Sequence, residues 1–243
     1  MFDEIDSLQE KILELKPFSE DMLKQLKEYY RIGLTYSSNA IEGNSLTLSE
    51  TKVVLEDGLT VGGKPLRDHL EARGHSDAYF WLYDLVAKDG VEEEDILRMH
   101  YLFYRYLDES WAGKYRKSPV VVTGTDFAFP TPEEVPVRMA EFIASMKQGN
   151  RMLHPVEWAA TIHTDFVTIH PFVDGNGRVA RLLMNLLLFK ENYPITIIPP
   201  IRRPEYIATI RKANHGDTKG FTHLIAECVK ESQKELLRFF ERP

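Results

Sequence analysis

The chain has 243 residues, 43% of them hydrophobic and 28% charged, with a formal net charge of −7. That composition supports a packed core and excludes a disordered chain, and the acidic balance offers no basic face to a nucleic-acid partner. A single cysteine, Cys228, cannot form an intrachain disulfide, no apolar run reaches membrane-spanning length, and the acidic N-terminus is unlike a secretion signal, so the sequence reads as cytoplasmic, with no membrane partner. Helical spacing starts at once, with Ile5, Leu8, Ile12 and Leu15, and resumes with Met22, Leu23, Leu26, Tyr29 and Tyr30. Further helices are predicted over 48–56, 66–88, 92–107, 133–148, 155–169, 178–192, 203–214 and 217–238. Their ends carry Pro or Gly, among them Pro17, Gly43, Pro155, Pro194, Pro204 and Gly216. One stretch reads as strand: Val120, Val121, Val122 and Thr123, then a turn, then Phe127, Ala128 and Phe129 before Pro130 and Pro132. That pattern predicts a small β-hairpin. The expected fold is therefore all-α with one hairpin flap. The loop over 58–65 divides an N-terminal helical region, 1–65, from the remainder, 66–243, as two regions of one compact unit.

The chemistry concentrates in residues 170–181, HPFVDGNGRVAR, between two apolar helices. Gly175 and Gly177 let successive N–H groups turn toward one point at a helix start, which is an anion site. Arg178 and Arg181 stand at i and i+3 on that helix and suit a polyphosphate. Asp174 is one carboxylate beside the anion site, the usual complement for Mg²⁺ bound with a nucleotide. His170, at the entrance, can take a proton from an attacking hydroxyl. A Gly-Asn-Gly turn or a histidine at a helix end is ordinary structure taken singly. Two exposed arginines and an aspartate, however, gain nothing from a mere turn.

A second segment, 38–43, reads Ser-Asn-Ala-Ile-Glu-Gly. Ser38 and Glu42 share a helix face and Gly43 fits a helix stop. A glutamate in the last turn opposes the helix dipole and prefers a cationic partner. Other constellations fail. The eight histidines show no zinc spacing, and His163 reads as a core histidine. Neither a P-loop nor a GxSxG motif is present.

HPFxDGNGRxxR, as residues 170–181, is the motif of Fic-domain proteins, and the resemblance extends over most of the chain. Residues 113–139 resemble that family's flap hairpin and following helix, 205–217 its base-binding segment, and 38–43 its inhibitory motif, placed before the core as in class II members. The resemblance implies a Fic-type helical core and a protein adenylyltransferase that moves AMP from ATP to a Ser, Thr or Tyr hydroxyl of a target protein, which can be the enzyme itself. It implies His170 as general base and Asp174 as ligand to Mg²⁺. Gly175, Asn176 and Gly177 would hold the α- and β-phosphates, Arg178 and Arg181 would neutralise the triphosphate, and Tyr206 and Asn214 would contact adenine. It also implies that Val120, Val121, Val122, Thr123, Phe127 and Phe129 dock the target by strand addition. Glu42 would pair with Arg181 and turn the γ-phosphate away, with Ser38 and Gly43 completing that motif. Gly177 stands where Doc-like kinases of the family carry lysine, which favours nucleotidyl transfer. The resemblance also allows removal of AMP, transfer of UMP or phosphocholine, a silent nucleotide-binding adaptor, and a homodimer.

Overall fold

A computed structural model describes residues 1–120 and 127–241. Among the described residues ten α-helices follow one another: α1 (Asp3–Glu14), α2 (Glu20–Ile41), α3 (Leu48–Lys52), α4 (Leu66–Val86), α5 (Glu93–Tyr104), α6 (Val135–Gln148), α7 (Pro155–Ile169), α8 (Asn176–Lys190), α9 (Arg203–Asn214) and α10 (Lys219–Glu241). Local chemistry starts several of them. The Ser19 hydroxyl accepts from the Met22 N–H at 3.2 Å, and Glu20 and Asp21 follow in the first turn of α2, where the helix dipole favours acids. Thr47 and Glu50 cap α3 reciprocally, each accepting from the other's backbone N–H, at 3.2 and 2.8 Å. The predicted helix over 48–56 is only half α. Its second half, Val53–Asp57, is a π-helical turn that Gly58 closes in the left-handed region.

The predicted hairpin is corrected. Among the described residues there is no strand, and 127–130 runs on without one. Pro130 and Pro132 have no N–H for a ladder, and the Pro130 carbonyl is taken by the Arg116 side chain at 2.5 Å. Residues 121–126, with Val121, Val122 and Thr123 of the expected flap, lie outside the described residues. Among the described residues the fold is all-α, and they show no hairpin.

One apolar cluster runs from Ile12 and Leu26 through Phe103, Phe142, Phe166 and Leu183 to Leu236. At the N-terminal end α1 packs on α10, where the Gln233 amide donates to the Ile5 carbonyl and to Gln9 Oε1, both at 3.0 Å. α8 sits at the centre. Every residue from Arg178 to Leu186 is buried, so this stretch of the helix has no solvent face and its polar side chains must find partners inside. Asn185 does so against Thr196, accepting from its N–H at 2.6 Å and donating to its carbonyl at 3.0 Å. The same constraint governs the two arginines of the first turns. Among the described residues no helix is long and apolar enough to cross a membrane.

Candidate active site

The start of α8 is built by Gly175 and Asn176. Gly175 adopts φ +80°, and a Cβ there would fall 2.8 Å from a Phe103 ring carbon, so only glycine fits. The Asn176 side chain turns back on the preceding loop, accepting from the Phe172 N–H and donating to the Phe172 carbonyl, both at 2.9 Å. This brace starts the helix two residues earlier than the sequence suggests. The amide of Asn176 thus ties the loop, and its backbone, with that of Gly177, forms the cradle. N–H groups of a first helical turn have no partner within the helix.

His170 ends α7 in the left-handed region, φ 52° and ψ 57°, uncommon for a residue with a side chain. Its Nδ1–H donates to the Val167 carbonyl at 3.3 Å, which leaves Nε2 with the lone pair. Burial pushes its pKa below the ordinary 6.5, only partly offset by the Val167 carbonyl. The imidazole is therefore neutral at neutral pH, as a base must be. The Phe129 ring stands 4.9 Å from it, and beside both lies a groove of about 670 Å³ lined by Phe127, Phe129, Phe142, Asp165 and Thr168.

The arginines are interior, not exposed as the sequence suggests: Arg178 is 3% and Arg181 2% accessible. Arg181 spends its donors on Ser38 Oγ (2.9 Å), the Ser38 carbonyl (2.8 Å), the Tyr206 hydroxyl (2.8 Å) and Glu42 Oε1 (2.8 Å). Glu42 caps α2 and Gly43, at φ 99°, turns the chain away. Its carboxylate lies over Gly177: a Cβ on that glycine would sit 2.4 Å from Glu42 Oε1. An anion thus already covers the start of α8. Burial raises the pKa of Glu42, but the charges of Arg181 and Arg178 and the Arg181 hydrogen bond outweigh it and hold the carboxyl below 4.5. Arg178 lies over the Phe103 ring at 4.4 Å and bonds Asp174 and Glu71, each at 3.2 Å.

Asp174 is partly exposed and takes Arg67 at 2.8 Å. Among the described residues no group of three His, Cys, Asp or Glu side chains could hold a metal ion. One accessible carboxylate beside an anion cradle nevertheless fits Mg²⁺, which keeps its waters and shares phosphate oxygens. Tyr206 is buried, between Arg181 and His163 Nε2 at 2.9 Å, so its hydroxyl serves the guanidinium. His163 is indeed a core histidine, at 0% exposure. Asn214 stands apart from the arginines and accepts from Thr168 Oγ1 at 3.1 Å; Phe127 reaches its neighbour His215 at 6.0 Å between ring centres.

Sequence reasoning misses three residues here. His100 stacks on Phe172 at 3.8 Å, accepts from the Gly113 N–H at 2.9 Å and donates to the Asp174 carbonyl at 3.1 Å, while burial lowers its pKa to about 4. Glu71 joins Arg178 to Arg67 and Asn44. Arg116 clamps the loop: its N–H donates to the Pro171 carbonyl (2.9 Å), its side chain to the carbonyls of His170 (2.8 Å), Ser118 (3.2 Å) and Pro130 (2.5 Å). Replacing Arg116 with alanine keeps the backbone bond to Pro171 but strands the carbonyls of His170, Ser118 and Pro130, and the expected loss is about 3 kcal/mol. A thermal melt should then show Tm lowered by roughly 6–12 °C for a chain of this size; an unchanged Tm would mean water replaces the clamp.

A neutral recessed histidine, the N–H groups of a helix start and two buried arginines thus come together at one place, on a fold that is helical throughout the described residues. The sequence profile of the Fic/DOC family matches residues 90–188. A Nematostella vectensis protein named protein adenylyltransferase Fic is 36% identical over 235 residues, 96% of this chain and 54% of its own length. The structure of Fic-1 from C. elegans superposes with a TM-score of 0.88 at 30% identity, over 98% of this chain and 72% of that one. A Fic domain containing signaling protein from Bacteroides thetaiotaomicron gives 0.85 at 28% identity, over 96% and 94%. The chain belongs to the Fic/DOC family. It spans about half the length of the curated relatives it matches, 54% and 44% for two of them.

Proposed function

We propose that the protein transfers AMP from ATP to a hydroxyl of a protein, and that Glu42 holds the site closed. The observation that carries this is the pair of Arg181 and Glu42 at 2.8 Å, with the carboxylate lying over Gly177 where a phosphate would otherwise meet the α8 start. A glutamate kept in an anion site has a use only if an anion is to replace it. The names of the relatives supply the reaction class.

In the open site the cradle at Asn176 and Gly177 holds the phosphates, Arg178 and Arg181 balance their charge, and the target hydroxyl comes from the groove beside Phe129. The hydroxyl oxygen attacks the α-phosphorus and its proton passes to His170 Nε2. The bond from that phosphorus to the bridging oxygen breaks, and pyrophosphate leaves. Gly177 has no side chain to fill the cradle, which suits a leaving diphosphate. Asp174 would hold Mg²⁺, which supplies charge neutralisation of the phosphates. Asn214, which accepts from Thr168 of the groove wall, would face the base, and Tyr206 would act through Arg181.

The substrate class is tested by incubating Glu42→Gly protein with a lysate and α-labelled ATP. Labelled protein bands should appear, and unlabelled UTP in excess should leave them unchanged. Suppression by UTP would give a different nucleotide. Asp174→Ala, or chelator, should lower labelling by about 10²-fold or more, as loss of a group that orients and neutralises the phosphates does. Undiminished labelling in chelator would remove the metal from the account.

A further inference from the structure

Asp174 is the one carboxylate in residues 170–181, and both of its oxygens are occupied. Oδ1 accepts from the Gly175 N–H at 2.6 Å and from Arg178 Nη2 at 3.2 Å. Oδ2 accepts from Arg67 Nη2 at 2.8 Å. Arg67 is the second residue of α4, and its Nε also donates to Glu71 Oε1 at 3.0 Å. Glu71 takes Arg178 Nη1 at 3.2 Å, which closes a ring of two carboxylates and two guanidiniums with no net charge. The ring has a closed side and an open one. Arg178 and Glu71 are 3% and 7% exposed at the side chain, whereas Arg67 and Asp174 are 59% and 38% exposed.

A divalent ion at this carboxylate must come from the open side, at Oδ2. It would lie about 2.0–2.1 Å from the oxygen if it is Mg²⁺, against a guanidinium that already holds that oxygen. Two cations cannot share one oxygen at that range without strong repulsion. Arg178 cannot give way, because it is buried and fixed between Asp174, Glu71 and the Phe103 ring. Arg67 can, since it is exposed and Glu71 keeps it tethered.

We propose that Arg67 is a placeholder cation on Asp174 that a divalent ion must displace, so that metal enters only with the negative charge of a nucleotide. This rests on Asp174 being the metal ligand. Without nucleotide, an incoming ion turns a neutral ring into one with two surplus charges, and the free protein resists it. With nucleotide, the phosphates supply what the ring lacks, and the freed guanidinium stays beside them.

The test uses Mn²⁺ as the probe, with free ion measured by electron paramagnetic resonance on the full chain without nucleotide. Wild type should bind weakly. Arg67→Gln should bind about tenfold more tightly, the effect expected for one exposed ion pair and one nearby unit charge removed. Arg67→Lys keeps the charge and should stay near wild type. The double variant Arg67→Gln, Asp174→Asn should return to weak binding. If Arg67→Gln binds no more tightly than wild type, or if Arg67→Lys tightens equally, the placeholder role is overturned. If Arg67→Gln tightens but the double variant binds just as well, the ion sits elsewhere, and it is the assignment of Asp174 that fails.

Discussion

Glu42→Gly protein should transfer AMP at least about 10²-fold faster than wild type, the cost that a misplacement of reacting atoms by roughly 1 Å carries. Most substitutions in an enzyme lower its activity, so a gain is a demanding outcome. Two features of the structure favour it. The carboxylate lies against Gly177 in the first turn of α8, so removing it clears the cradle itself. Arg181 keeps three other acceptors, Ser38 Oγ, the Ser38 carbonyl and the Tyr206 hydroxyl, so the guanidinium stays in place when its anion goes. The variant should be less stable than wild type, because it leaves an interior cation without its carboxylate, and ATP should restore that stability. Combining Glu42→Gly with Arg181→Ala should erase the gain. The pH dependence has a definite sign. The folded pKa of Glu42 lies below 4.5, so the pair is fully present above that value and is lost only as pH falls through the lower one. The rate ratio of Glu42→Gly to wild type should therefore be flat between about pH 5.5 and 8. A ratio that falls as pH drops across this range would place the inhibitory contact on another titrating group.

His170→Ala, made in the Glu42→Gly background, should lower transfer by about 10²–10⁴-fold while ATP still binds. In the proposed reaction the phosphates would meet the α8 start and the arginines, and His170 would contribute only Nε2. Its burial lowers the pKa below 6.5, so the neutral form persists to mildly acidic pH. The acid limb of transfer by Glu42→Gly protein should accordingly have its midpoint below pH 6.5. Calorimetry with a non-hydrolysable ATP analogue separates the two roles: unchanged affinity with lost turnover supports the base. Full turnover in His170→Ala protein would show that another group takes the proton.

The loop over 170–181 was legible because its residues act within one turn of chain, and glycine, proline and charge spacing describe that local geometry. The helix bounds were legible for the same reason, most closely for 203–214 and for 155–169, where Pro155 opens α7 and the turn at His170 ends it. The pairing of Glu42 with Arg181 was anticipated through the family motif alone, since 139 positions separate them. What stayed hidden depends on tertiary burial. Arginines near a helix start look exposed until α8 is seen to be enclosed on all sides from Arg178 to Leu186. That the Tyr206 hydroxyl bridges Arg181 and His163 is likewise invisible in the spacing. Arg116 and His100 bind carbonyls far away in the chain, and no spacing announces that. The hairpin misled because a β-branched run before a turn has strand propensity, whereas the prolines at 130 and 132 and the Arg116 clamp decide the backbone that follows.

The most direct test of an AMP transferase held by Glu42 is to give purified Glu42→Gly protein ATP labelled either at the α- or at the γ-phosphate, and to measure label retained on denatured protein. Retention of the α-label alone, at a level wild type does not reach and Glu42→Gly with Arg181→Ala does not match, is the predicted result. Retention of the γ-label, or equal α-labelling of wild type and variant, would contradict it.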